Sequence, residues 1–204
     1  MDPKSHWETI YRTKDVHEVS WFQDEARRSR DLITRVCPDR GAPIIDVGAG
    51  ASVLVDNLLA AGYRDLSVLD VSEAALEISR YRLGPDSAQV KWMRADVLRA
   101  QLDEGAYAGW HDRAVFHFLT DAADRAAYVE QVRRAVKPGG YVLVATFAED
   151  GPEYCSGLAV VRYSAEGLHS EFGADFQLVR SEHEDHHTPA GAEQSFIYCL
   201  CRRE

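Results

Sequence analysis

The stretch Ile44-Ile45-Asp46-Val47-Gly48-Ala49-Gly50-Ala51-Ser52, followed by Leu69-Asp70, constrains this chain most. A short apolar run ends in an acid and turns through two close glycines into an apolar-periodic helix. A second short strand, Leu66–Asp70, ends in another acid. Glycines at such a turn let the backbone approach a ligand closely, and the next helix N-terminus presents free N–H groups. An acid closing the second strand can accept both hydroxyls of a ribose. These residues open a nucleoside-binding α/β unit.

The rest of the chain continues the alternation. Residues 24–36 read as a helix stopped near Pro38, 43–47 as a strand, and about 52–62 as a helix with Gly62 at its C-terminal cap. After Leu66–Asp70, Ser72 caps a helix to about Leu83, with Glu73 in its first turn. Gly84-Pro85-Asp86 ends it. Val90–Arg94 is a third strand, with Asp96 just past its end. A fourth lies within 107–118, and a helix covers about 121–136. Lys137-Pro138-Gly139-Gly140 is a turn before the strand Tyr141–Phe147. A loop over 148–162 follows, then a short helix capped by Ser164 and running to Phe172. Phe176–Ser181 and Ser195–Cys201 read as a last hairpin around a long, polar, His-rich loop. Strands alternating with helices imply an α/β fold: a mostly parallel, seven-stranded Rossmann-like sheet with helices on both faces. The last hairpin makes one C-terminal strand antiparallel.

Length, at 204 residues, suits one domain spanning 1–204, with an N-terminal segment 1–36 ahead of a core over 40–204. The net charge of −10 comes with no basic stripe, which argues against nucleic acid as a partner. No apolar run approaches the roughly 20 residues of a membrane span, so no membrane partner is expected. Cys37, Cys155, Cys199 and Cys201 form no metal-type CxxC pair. Cys199 and Cys201 share one face of a strand and are expected to be reduced. With no apolar leader in Met1–Trp7, the expected address is cytoplasmic.

Asp46-Val47-Gly48-Ala49-Gly50, the acids Asp70 and Asp96, and Lys137-Pro138-Gly139-Gly140 before the fifth strand together resemble the class I S-adenosylmethionine-dependent methyltransferases. The resemblance covers residues 40–150 by motif and the remainder by element order. It implies a methyltransferase that uses S-adenosyl-L-methionine and releases S-adenosyl-L-homocysteine. It implies that Asp46 and the Gly48–Gly50 turn hold the methionine end. Asp70, with Val71 beside it, would meet the ribose, and Asp96 with Val97 the adenine. A nicotinamide dinucleotide domain is the competing reading. Its fingerprint wants a third glycine where Val53 stands, and Asp46 ahead of the glycines suits a cationic ligand better than a pyrophosphate.

Methyl transfer is an in-line displacement in which the protein aligns the acceptor, desolvates it and removes its proton if it has one. Three clusters are candidates for that work. In the first, His111 takes a proton, Asp112 orients it, and Arg113 holds an anionic group bidentately, with His117 as a substrate contact. The alternative there is a buried Asp112–Arg113 pair with His117 packed beneath the next helix. The second is the loop after the fifth strand, with Cys155 and Arg162 as substrate contacts. The third is the His183, His186, His187 tract with Gln194, where His186, His187 and Gln194 are candidate substrate contacts. The tract has no metal-ligand spacing, and no metal is expected.

Trp7 and Tyr11 are spaced i, i+4 and share a helix face, and Trp21-Phe22 follow. This pattern resembles the lid of several small-molecule methyltransferases, which puts Tyr11 and Trp21 over the cofactor. It also resembles a group of protein-lysine methyltransferases. The expected substrate is a small molecule, anionic or thiol-like. Protein-lysine methylation and a non-catalytic, cofactor-binding regulatory module are the alternatives.

Overall fold

The computed structural model describes residues 3–204; Met1 and Asp2, the start of the expected 1–36 segment, lie outside the described residues. Helix α1 (Pro3–Thr13) and helix α2 (Arg27–Val36) precede the sheet. Then follow β1 (Ile44–Val47), α3 (Leu54–Ala60), β2 (Leu66–Asp70), α4 (Glu73–Leu83), β3 (Val90–Arg94), β4 (Tyr107–Arg113) and α5 (Ala122–Ala135). The chain closes with β5 (Val136–Phe147), β6 (Tyr154–Cys155), β7 (Leu158–Ala159), α6 (Ala165–Phe172), β8 (Phe176–His187) and β9 (Glu193–Arg203). Short 3-10 turns occupy Gly84–Gln89 and Phe116–Phe118.

Seven strands form one sheet in the order β3-β2-β1-β4-β5-β9-β8. The pairs among β3, β2, β1, β4 and β5 are parallel, and β9 is antiparallel to both β5 and β8. The expected fold class is borne out. Alternation along β5 feeds two cores. Val142 and Val144 join Tyr128 and Val132 of α5 and Leu168 and Phe172 of α6 on one face. Leu143 and Ala145 join Leu32 and Ile33 of α2, Leu54 and Leu58 of α3 and Leu76 of α4 on the other. Every residue of β1 and β2 is buried, as central parallel strands covered on both faces require. Cys199 and Cys201 fall in the same core, and all four cysteines are free.

Local chemistry places the helices. Ser72 Oγ accepts the Ala75 N–H, the Asp121 carboxylate accepts the Ala123 N–H, and Ser164 Oγ accepts the Gly167 N–H. Each side chain satisfies a first-turn donor that the helix itself leaves open. From β1 the chain builds outward to β3 and then crosses to β4 on the other side. The strand order therefore reverses between β1 and β4, and ligands of such sheets bind outside the carboxyl ends at that point.

Three expected boundaries move. Lys137–Gly140, expected as a turn, lies within β5 at an irregular stretch where the register with β4 shifts. Strand β8 runs to His187, so His183, His186 and His187 belong to a strand and not to a loop; only residues 188–192 connect it to β9. As the edge strand, β8 has one partner and keeps solvent on its open side, so its charged residues give no apolar alternation to read. The segment after β5 is not wholly a loop either. It carries the β6–β7 hairpin, turned through Ser156 (φ 50) and Gly157 (φ 78), the two left-handed positions of a type I′ turn.

Candidate active site

A cavity of about 710 Å³ opens at the carboxyl ends of β1, β2 and β4, beneath α1 and the segment that follows it. Its volume lies within the roughly 300–1,000 Å³ of small-molecule sites. The glycine turn after β1 forms one wall. Gly48 and Gly50 have φ of +58 and +55. A Cβ on Gly48 would lie 2.0 Å from Val115 Cγ2. The turn is therefore as tight as a glycine backbone allows.

Two acids stand at this wall. Asp46 is buried; its Oδ1 lies 2.6 Å from His111 Nδ1, and its Oδ2 has no hydrogen-bond partner. Asp70 accepts the Gly50 N–H at 2.7 Å and the Ser72 N–H at 2.8 Å, so it ties the glycine turn to the start of α4. Burial pushes its carboxyl up to about 6, against the pull of those two N–H groups. Val71, Asp96 and Val97 continue the wall. Asp96 is exposed and accepts the Leu98 N–H.

The opposite side is aromatic. Trp7 meets Trp21 and Phe118 edge-on at 5.7 and 5.1 Å between ring centroids, and Trp21 Nε1 donates to Tyr11 Oη at 3.2 Å. Burial raises the Tyr11 hydroxyl above its ordinary value, so it stays protonated. Glu8 on α1 accepts from Ser72 Oγ at 2.9 Å and from the Ala74 N–H at 3.3 Å, which fastens α1 to the N-terminus of α4.

The sequence candidates divide cleanly. Asp46, Gly48, Asp70, Val71, Asp96, Val97, Tyr11, Trp21, His111, Arg113 and Cys155 line the cavity. Gly50 is buried and is not part of the lining. Arg113 donates from Nε to Tyr198 Oη at 2.9 Å and from Nη1 to the Trp21 carbonyl at 3.3 Å, with Glu184 at 3.6 Å. Burial pushes the Cys155 thiol up to about 11, which keeps it a thiol.

Asp112, His117, Arg162, His187 and Gln194 are not part of the cavity wall. Asp112 accepts from Tyr128 Oη, the Val115 N–H and the Phe116 N–H, on the opposite face of the sheet from His111. Consecutive strand residues point to opposite faces, so Asp112 cannot orient His111; Asp46 does. His117 is fully buried, accepts the Phe147 N–H, and is held down to about 3 by burial, then by the Arg113 charge. Arg162 donates to the Gly151 carbonyl and Glu153. His187 is exposed beside Glu193 at the end of β8, and Gln194 stands opposite His186. Among the described residues, no group of His, Cys, Asp and Glu is placed to hold a metal, and no helix is long and apolar enough to cross a membrane.

Ser29 and Glu8 escaped the sequence reading. Ser29 sits in the run Arg27-Arg28-Ser29-Arg30, yet Ser29, Leu32 and Ile33 are the buried residues of α2. Their i, i+3, i+4 spacing is the signal of an inward serine.

Comparison with known proteins agrees with this geometry. A methyltransferase domain family matches residues 44–140. The chain is 30% identical over 156 residues to the ubiquinone biosynthesis O-methyltransferase of Thiobacillus denitrificans, covering 76% of this chain and 62% of that protein. It is 22% identical over 195 residues to human EEF1A lysine methyltransferase 2, covering 88% of this chain and 76% of that one. A solved Burkholderia thailandensis 1,6-didemethyltoxoflavin-N1-methyltransferase has the same fold: TM-score 0.74, 20% identity, 98% of this chain and 86% of that chain. Residues 44–140 match a methyltransferase domain, and these likenesses support a class I S-adenosylmethionine-dependent methyltransferase. It spans about three-fifths of the length of its first ubiquinone-pathway relative.

The family's cofactor fits the cavity on the donor set alone. An uncommitted oxygen of a buried acid suits a cationic ligand, and the positive-φ glycine turn beside it brings backbone to the cavity wall at Gly48.

Proposed function

We propose that this protein transfers a methyl group from S-adenosylmethionine to a compact small molecule. The observation that carries this reading is one cavity with an acidic, glycine-built wall on one side and the Trp7–Tyr11–Trp21–Phe118 aromatic cover on the other. The bound cofactor supplies a methyl already activated on a sulfonium. The protein's residues hold, orient and dry the site.

Asp46 and the Gly48–Gly50 turn bind the methionine end. Asp70, beside Val71, accepts the ribose hydroxyls, and Asp96 with Val97 flanks the adenine. Tyr11 and Trp21 cover the sulfonium and exclude water. Arg113 and Cys155 face the acceptor, where the guanidinium favours an anionic oxygen or a thiolate. Asp112, His117, Arg162, His187 and Gln194 take no part in this reading, because none of them lines the cavity. The unpaired cysteines fit a reducing compartment.

Protein-lysine methylation is the second reading, favoured by the length of the match to the human lysine methyltransferase. The α1 cover argues against it, because a peptide needs an open groove. The test is transfer of a labelled methyl to a panel of phenols, thiols, carboxylates and amines beside lysine-containing peptides. Labelling of one small-molecule class supports the proposal. Labelling of peptides alone replaces it with the second reading.

A further inference from the structure

His111 is the residue the sequence singles out as a base. The geometry points to another role: we propose that Ser29 and His111 are positioning residues that hold Asp46 ready for the cationic methionine end of the cofactor. This rests on the cofactor reading above.

Strands β1 and β4 are parallel with Asp46 opposite His111, so both side chains emerge on one face. His111 Nδ1 lies 2.6 Å from Asp46 Oδ1, and His111 Nε2 lies 2.8 Å from Ser29 Oγ. All three are closed off, with Ser29 1%, His111 2% and Asp46 4% exposed. A carboxylate oxygen accepts, so the contact with Asp46 places a ring proton on Nδ1, and Nε2 is met by the Ser29 hydroxyl. Neither ring nitrogen keeps a lone pair for an acceptor's proton.

The same contacts fix Asp46. With Oδ1 committed to His111, the carboxylate cannot turn, and Oδ2 remains buried without a partner. An oxygen held still and unsatisfied is a preorganised acceptor for an ammonium. Arg113, two residues along β4 on the same face, donates from Nε to Tyr198 and from Nη1 to the Trp21 carbonyl, with Nη2 3.6 Å from Glu184, and leaves Asp46 to His111. Removing the Ser29 hydroxyl leaves Nε2 unmet and frees the ring to swing, and Asp46 loses its fixed orientation.

The test is calorimetric titration of S-adenosylhomocysteine into the wild type, Ser29→Ala, Ser29→Thr, Asp46→Asn and the Ser29→Ala/Asp46→Asn double variant. Binding to the wild type tests the cofactor reading itself; the variants test this inference. Ser29→Ala is expected to weaken binding about tenfold, the worth of one hydrogen bond in a charged network. Ser29→Thr, which keeps the hydroxyl, is expected to restore affinity. In the Asp46→Asn background Ser29→Ala is expected to cost nothing more, because the serine acts only through the acid. Ring-nitrogen NMR of His111 reads the tautomer independently and needs no variant to fold. Protonated Nδ1 supports the proposal. Wild-type affinity in folded Ser29→Ala, the same loss in both backgrounds, or a proton on Nε2 with Nδ1 bare overturns it.

Discussion

Tyr11 rests on Gly50: a Cβ at Gly50 would lie 2.1 Å from the Tyr11 hydroxyl oxygen. Helix α1 therefore seats directly on the glycine turn. Gly50 has φ +55, so Gly50→Ala adds a left-handed penalty of about 1–2 kcal/mol to the collision. The expected outcome is a lower melting temperature and lost binding of S-adenosylhomocysteine. Adding Tyr11→Ala is expected to recover the collision and not the backbone penalty. Wild-type melting and binding in Gly50→Ala would contradict this seating.

Asp70 both builds the turn and faces the cavity. Asp70→Ala is expected to weaken S-adenosylhomocysteine binding by roughly 1–3 kcal/mol, the cost of lost hydrogen bonds to a charged group. Its carboxyl is pushed up to about 6, so a fall in pH through 6 neutralises it and weakens ligand binding. Stability runs the other way. The folded acid binds its proton more tightly than the unfolded one, so its contribution is full below about 3.8 and declines as pH rises through 6. Titrations at several pH values, repeated on Asp70→Asn, check this: the step near 6 should vanish in the variant.

His117 makes the opposite contribution. Its imidazole is held down to about 3 from an ordinary 6.5, so the unfolded chain takes up a proton that the folded protein refuses. The stability this residue gives is present above 6.5 and is lost as pH falls toward 3. Between pH 7 and pH 4.5 the loss amounts to about 2–3 kcal/mol. His117→Gln is expected to lower stability less at pH 4.5 than at pH 7. Urea unfolding at both pH values measures it, and a parallel drop in the two proteins would show that His117 is not the acid-sensitive group.

Glu8 fastens the aromatic cover. Its carboxylate accepts from Ser72 Oγ and the Ala74 N–H at the start of α4. Glu8→Ala removes a helix-terminus contact worth about 1 kcal/mol. The expected result is faster proteolysis between α1 and α2 with little change in global unfolding. Unchanged cleavage would mean that aromatic packing alone holds α1 closed.

The parts of this molecule that repeat a backbone rule were legible in the sequence. Leu66–Asp70, the Ser72 cap and Val90–Arg94 stand where apolar runs and capping chemistry put them. The glycine turn and the acids beside it also read directly, because φ above zero and a strand-ending acid leave residue-level marks. Edge strand β8 did not, since its charged residues need no apolar face. The partner of His111 was out of reach for a different reason. Asp112 is its neighbour in sequence, but the strand turns it to the other face, and Asp46 and Ser29 arrive from β1 and α2. Pairing across strands is a tertiary fact that sequence proximity misstates.

The acid-and-glycine cavity is the place offered to S-adenosylmethionine. Calorimetric titration with S-adenosylhomocysteine, followed by the oxidised nicotinamide dinucleotide, tests it most directly. Saturable one-to-one binding of the first and none of the second is the expected result. Binding of the dinucleotide alone would contradict the account and make the Asp46–Gly50 turn a pyrophosphate site.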